Sequence, residues 1–343
     1  MASPDISLQP PMDGLSSVSW SGDSSKLLVS SWDGSLQVHD TSALQAGPRP
    51  PSVFPTQVAI LAATFSSQTP NGATAYSGGL DKRLRQWDFE TGQNRVLGKA
   101  DDAISTVTAC GDSGIVITGS WDSKLRVWDP RAADALVATR QLPSKVYCAS
   151  FAPVSSSLVV SMAHRNVHVY DVRKLEEPKQ KRESALKFMT RSVACMADGK
   201  VSWGTAGWAS GSIEGRIAVE YFDAELESRK YAFRCHRQTV DGVDCVYPIN
   251  ALAYHPIHNT FASGGSDGTV SIWDHNAKKR MKQYPHFPTE VSALSFSPDG
   301  EKLAIGVSYE HDNGVAKAEE MGRTALLIKT TVMDDCRPKI KAT

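Results

Sequence analysis

Apolar and polar positions alternate in short runs along this chain, and turn-forming residues separate the runs. The pattern is clearest in Ile249-Asn250-Ala251-Leu252-Ala253-Tyr254, then Thr260-Phe261-Ala262-Ser263-Gly264-Gly265, then Thr269-Val270-Ser271-Ile272-Trp273-Asp274. Period-two runs rich in β-branched and aromatic residues, bounded by Pro, Asn, Gly and Asp, read as strands. Between the last two runs, Ser266-Asp267-Gly268 supplies the Asp-Gly pair of a tight hairpin, because glycine takes a positive φ without steric cost. A fourth, outer strand is expected after each Trp-Asp. No unit shows the 3.6-residue period that a helical solenoid requires.

The unit repeats. Ser31-Trp32-Asp33-Gly34 recurs in degenerate copies anchored at Asp33, Asp81, Asp122, His164, Glu214 and Asp267. Seven residues after these anchors come Asp40, Asp88, Asp129, Asp171, Tyr221 and Asp274. Successive anchors lie 41 to 53 residues apart, near the roughly 40–45 residues of a WD-repeat propeller blade. A seventh unit emerges at a constant offset of 42, which places Pro298 on Pro256, Ala304 on Ala262 and Ser308 on Ser266. Its turn is replaced by a polar insertion over about 310–323, before a strand-like run, Thr324 to Val332. The short alternation Ile6-Ser7-Leu8 precedes the first unit, where a closing strand is wanted. The chain therefore reads as all-β, a seven-bladed WD-repeat β-propeller spanning residues 1–343 as one domain, with the N-terminus supplying the outer strand of blade seven. Such closure leaves only short, protected sheet edges.

Composition narrows the function. The chain carries 37 basic and 37 acidic side chains among 343 residues, so bulk charge pulls it toward neither nucleic acid nor anionic lipid. The N-terminus lacks the basic and apolar regions of a signal peptide, and no run of 18 apolar residues exists, so a soluble intracellular protein is expected. Its six cysteines show no CxxC or zinc-ligand spacing, and reduced thiols are the default. His164 and His168 alternate with Val167 and Val169 as in a strand, while His255 and His258 belong to a turn; neither pair reads as a metal site. Phosphate loops, GxSxG and HExxH motifs are absent from the sequence. The reading is a protein without enzymatic activity or cofactor.

Propellers bind through the loops at the ends of their strands, and the turns between second and third strands share one face, the top. Trp32 and Trp121 sit beside turn acids on blades one and three, where an indole either anchors a partner or packs between blades, as Trp87, Trp128 and Trp273 are expected to do. Arg216, Arg234 and Arg237 lie at the blade-five turn and on and after its outer strand. Converging guanidiniums suit a phosphate or carboxylate; the alternative is pairing with Glu214, Glu220 or Asp223. Lys82, Arg83, Lys124 and Arg165 occupy equivalent turn positions on blades two to four and give this face a positive cast, through solubility alone or by receiving an acidic segment. The run Lys174 to Arg182 reads as a solvated connector between blades four and five.

Certain strings carry a resemblance. Ser212-Ile213-Glu214-Gly215-Arg216 through Asp223, then Lys230-Tyr231-Ala232-Phe233-Arg234-Cys235-His236-Arg237, resembles the blade-five signature of the spindle-checkpoint Bub-three family. Tyr247-Pro248-Ile249-Asn250, the stretch His255 to Ala262, and Gly119-Ser120-Trp121-Asp122 add to it, over about Gly14 to Tyr309. The resemblance implies a non-catalytic, monomeric propeller of the nucleus and mitotic kinetochore, with some in the cytoplasm. Its partners would be GLEBS segments of a checkpoint kinase and a Mad-type inhibitor, and phosphorylated MELT motifs of a kinetochore scaffold, with no direct nucleic acid or membrane contact. Carried over, Arg216 and Arg234 become phosphothreonine ligands. Trp32, Trp121, Lys82, Arg83, Lys124, Arg165 and Arg237 become partner-peptide residues. The sister family of messenger-RNA export factors shares the GLEBS groove and is the rival reading; a ubiquitin-ligase scaffold is a weaker third. One departure stands out: many WD repeats place Gly-His before the first strand, whose His joins a buried Asp/His/Ser/Trp network. No Gly-His stands there in this chain, so its turn acids are expected to bond local backbone amides.

Overall fold

In blade six the alternating runs become four antiparallel strands, Ile249–Tyr254, Phe261–Gly265, Val270–Asp274 and Lys279–Tyr284, in sequential order. The computed structural model describes residues 5–197, 206–310 and 324–338. It holds seven such four-stranded sheets and one separate two-stranded hairpin among these residues. The inner strand of each blade touches the inner strand of the next, and blade seven touches blade one. This closed ring is a seven-bladed β-propeller.

Closure follows the expected exchange of terminal strands. Ile6, Ser7 and Leu8 pair antiparallel with Ile328, Leu327 and Leu326. Leu8 is buried with Leu326 and Ile328 against Leu15 and Leu27 of blade one, and Lys329 Nζ lies 2.6 Å from Asp5. The chain end adds a second tie. The run expected to continue as strand to Val332 stops at Lys329, and Val332–Cys336 forms one helical turn. That turn returns to blade six, where Tyr284 donates to Asp335 at 3.0 Å and Thr260 donates to the Cys336 carbonyl at 2.9 Å. Beyond Glu310, the expected insertion over about 310–323 lies outside the described residues.

Two repeated devices shape the ring. On second strands, Gly78, Gly119, Gly211 and Gly264 leave room for the first β-branched residue of the next blade. A Cβ at these positions would stand 2.5, 2.6, 2.7 and 2.4 Å from Ile104, Val146, Ile249 and Val291, closer than packed carbons tolerate. Every inner strand also skips one residue of its register near the top, at Ser16, Leu61, Ser105, Tyr147, Arg191, Asn250 and Ser292. Such bulges re-aim side chains, and these seven residues line the central opening.

Third-strand tryptophans are buried as expected. Trp87, Trp128 and Trp273 each donate an indole N–H to a second-strand hydroxyl, Ser77 at 2.8 Å, Thr118 at 2.9 Å and Ser263 at 2.8 Å. The turn acids bond local amides, Asp33 to Ser35, Asp81 to Arg83, Asp122 to Lys124 and Asp267 to Thr269. Blade six departs from the expectation. There His236, reached through Cys235 rather than through a glycine, places Nδ1 2.8 Å from Asp267 and Nε2 2.7 Å from Ser263, completing the network that the missing Gly-His seemed to exclude. The stretch Lys174 to Arg182 is likewise only partly a connector, because Gln180–Glu183 is the outer strand of blade four.

Candidate peptide-binding face

Trp32 and Trp121 hold equivalent positions at the top. Their backbone amides donate to Gly14 and Ala103 of the preceding loops, each at 3.0 Å, which fixes both indoles beside the central opening. Trp32 is 45% exposed and Trp121 is half-buried; neither is sealed between blades. Both line a central opening of about 280 Å³, together with Leu61, Tyr147 and Met189. Phe188 and Met189, in the loop entering blade five, are 53% and 41% exposed and extend the apolar surface. No sequence signal marked them: apolar residues in an irregular loop belong to no period. Inside the opening Arg191 pairs with Glu310 at 2.8 Å.

The basic row does not stand free. Lys82 Nζ donates to the Asp101 carbonyl at 2.9 Å and sits 4.0 Å from Asp102; Lys124 Nζ lies 2.6 Å from Asp101. Asp101 also holds buried Arg126, at 3.1 Å, together with the turn acid Asp122 at 2.7 Å. Arg165 is 2.8 Å from Glu183 and donates to the carbonyls of Leu186 and Ser184 at 2.8 and 2.9 Å, so it braces the loop that leads to Phe188 and Met189. Of the four, only Arg83 is exposed without an ion pair among the described residues. The positive cast expected from sequence is largely compensated by acids the repeat pattern did not connect to it.

At blade five the expected convergence is present in part. The last two strands pair Arg216 directly with Arg234. Arg216 is partly exposed, with Nε 3.7 Å from Glu214 Oε2, and Arg234 is exposed without an ion pair among the described residues. Directly opposed like charges on a sheet repel each other, and the Glu214 carboxylate offsets part of that at Arg216. Arg237 is engaged elsewhere: it donates to the Glu214 carbonyl at 3.1 Å and lies 3.4 Å from Asp244. It anchors a hairpin, Arg237–Val240 with Val243–Val246, whose Asp241-Gly242 turn has φ of 50° and 79°. That Asp-Gly pair between valines was the available signal for a hairpin.

Among the described residues no cluster of three or more His, Cys, Asp or Glu is placed to hold a metal, and no helix is long and apolar enough to cross a membrane. His168 is buried in its strand, and His255 stacks on His258.

The family described as "WD domain, G-beta repeat" matches residues 6–40, 93–129 and 229–274. Over 97% of its length the chain is 40% identical to "Mitotic checkpoint protein BUB3.1" of Arabidopsis thaliana, covering 94% of that protein. It belongs to the Bub3 family of mitotic checkpoint proteins. A second member, "Mitotic checkpoint protein bub3" of Dictyostelium discoideum, is 36% identical over 89% of the chain and 88% of that protein. The "Poly(A)+ RNA export protein" of Schizosaccharomyces pombe is also similar, 33% identical over 97% of the chain and 92% of its own length. A solved structure, "Structure of U3-55K", superposes with a TM-score of 0.77 over 95% of this chain and 98% of that one; at 16% identity it shows the fold alone. The chain is thus a mitotic checkpoint WD-repeat protein.

Proposed function

We propose that this Bub3-family chain works as a single monomeric propeller without catalysis, an adaptor of the nucleus and mitotic kinetochore that joins two peptides. A GLEBS segment of a checkpoint kinase or Mad-type inhibitor lies across the top, against Trp32, Trp121, Phe188 and Met189. A phosphorylated MELT motif of the kinetochore scaffold docks at blade five, its phosphothreonine between Arg216 and Arg234. The observation that carries this reading is the register of those arginines, directly opposite each other on neighbouring strands. A phosphothreonine brings about −1.5 to −2 charges and three acceptor oxygens, which two guanidinium forks satisfy with charge-assisted bonds.

Titration calorimetry with phosphorylated and unphosphorylated MELT peptides tests it. Wild type is expected to prefer the phosphorylated form, Arg216→Ala and Arg234→Ala to lose most of that preference, and Arg216→Lys to lose part of it, because lysine offers a point charge in place of a fork. GLEBS binding should persist in all three. Equal affinity of the wild type for both peptides would overturn the phosphate reading. It would shift weight to the second reading, an export factor holding a nucleoporin GLEBS segment, which the similarity to the "Poly(A)+ RNA export protein" favours.

A further inference from the structure

Between blades three and four the ring leaves a cleft of about 870 Å³ on its side. In three other gaps a third-strand tryptophan reaches the outer strand of the preceding blade. Ring to ring, Trp87 lies 6.0 Å from Phe54 and Trp273 lies 4.8 Å from Phe233, while a Cβ on Gly98 would stand 2.3 Å from Trp128. In blade four the same position holds Tyr170, and the facing outer strand of blade three, Leu136–Gln141, offers Ala138 and Arg140. Ala138 packs against the core shared with blade four, and Arg140, two residues on, points the same way. Its Nε donates to the Leu175 carbonyl of blade four at 2.9 Å. On the opposite wall Val167 and Val169 turn toward Trp208 of blade five, so Asn166, His168 and Tyr170 turn toward blade three. Lys181 pairs with His168 across the strands and shares that face, and His168 Nδ1 lies 3.5 Å from the Tyr170 hydroxyl.

Arg140 and Lys181 thus stand on opposite walls as two cations without an ion pair among the described residues, while nearby Glu183 is held by Arg165 at 2.8 Å. Burial, helped by the Lys181 charge, holds the His168 imidazole below its ordinary value; burial raises the Tyr170 phenol against the pull of Arg140. The floor between the cations is therefore neutral, with an N–H and an O–H to donate. We propose that this cleft is a further peptide site, whose occupant is an extended segment of a partner protein that places one carboxylate side chain between Arg140 and Lys181. An extended segment fits because Leu136–Gln141 ends its sheet, and the outer backbone groups of such a strand accept a further one. Glu176 and Glu177 also line the cleft, exposed and without an ion pair among the described residues. They turn away a run of acids and favour basic residues on either side of the single carboxylate. The site shares no residue with the top face or with the blade-five arginines.

Nuclear magnetic resonance of the full chain carrying carbon-13-labelled histidine tests the site, with the His168 ring signal assigned by its loss in His168→Gln. The probes are the capped peptide Thr-Lys-Thr-Glu-Thr-Lys-Thr, its counterpart with Gln in place of Glu, and inorganic phosphate. The Glu peptide is expected to move the His168 signal saturably and to bind at least ~10-fold more tightly than the Gln peptide, the size of one charge-assisted hydrogen bond. In Lys181→Gln and in Arg140→Gln that preference should fall below ~3-fold, while binding of GLEBS and phosphorylated MELT peptides persists. Equal binding of the Glu and Gln peptides by wild type, or no movement of the His168 signal with either, overturns the proposal. A preference that survives in both variants places the carboxylate elsewhere and also overturns it. Phosphate binding as tightly as the Glu peptide would make the cleft a small-anion site and overturn the peptide assignment. Lys181 is exposed, so its variant decides even if Arg140→Gln, which loses the bond to Leu175, fails to fold.

Discussion

His236 Nδ1 lies 2.8 Å from Asp267 Oδ1, joining the residue that leaves blade five to the turn acid of blade six. The other ring nitrogen meets Ser263 Oγ at 2.7 Å, and Ser263 accepts the indole N–H of Trp273 at 2.8 Å. A consistent chain follows: His236 donates to Asp267, Ser263 donates to His236, and Trp273 donates to Ser263. Burial pushes the Asp267 carboxyl up, but hydrogen bonds from His236 and Thr269 outweigh it and hold the group below the usual carboxylate range. Removing the imidazole leaves a buried carboxylate and hydroxyl short of partners. His236→Ala is expected to lower unfolding free energy by about 2–3 kcal/mol, read from urea denaturation. A loss below about 1 kcal/mol would show the network to be incidental.

Acid should loosen the ring through two other histidines. Burial depresses His39 and His255 to about 4. At His255, Nδ1 accepts from the amides of Ile257 and His258, and Nε2 donates to the Gly300 carbonyl, so the neutral ring is the one that fits. Between the ordinary histidine value of about 6.5 and about 4, the unfolded chain takes up protons that the folded chain refuses. Their contribution is fully present above about pH 6.5 and is lost as pH falls toward 4. Thermal unfolding from pH 8 to pH 5 is expected to show a falling Tm below pH 6.5, with a shallower fall in His255→Gln. An unchanged slope in that variant would exclude His255 as a source.

The N-terminal strand can be tested by removal. Deleting residues 1–9 takes Leu8 out of its buried site and unpairs the outer edge of blade seven at Leu326 to Ile328. Burial of Leu8 and part of Ile6 stabilises by about 3 kcal/mol, and loss of that order should appear as a lower denaturation midpoint. A truncated chain that unfolds like the full one would show that Val332–Cys336 alone suffices for closure.

Trp32→Ala and Trp121→Ala are each expected to weaken GLEBS peptide binding by about 2 kcal/mol or more with little change in Tm, because both rings remain accessible at the opening. Paired calorimetry and thermal unfolding check this. Collapse of Tm without a selective loss of affinity would make the indole a structural residue.

Repeat spacing and period-two alternation were enough to specify the blades, their number, the N-terminal closing strand and the buried third-strand tryptophans. Each of these is local: a strand is read from its own residues, and a repeat from its neighbour. That Arg216 and Arg234 share one repeat unit was legible for the same reason, but the register that sets them opposite each other came from the structure. Contacts between blades were not legible. His236 completes the network of the following blade, Asp101 and Asp102 neutralise Lys124 and Lys82, and Arg165 braces the loop bearing Phe188 and Met189. In each case one member of the pair lies in a connection between blades, whose path depends on how one blade is rotated and stacked against the next. Side chains pack and pair across that interface without leaving any period in the chain, so only the closed ring decides which charges stay free and which apolar loop residues reach the top.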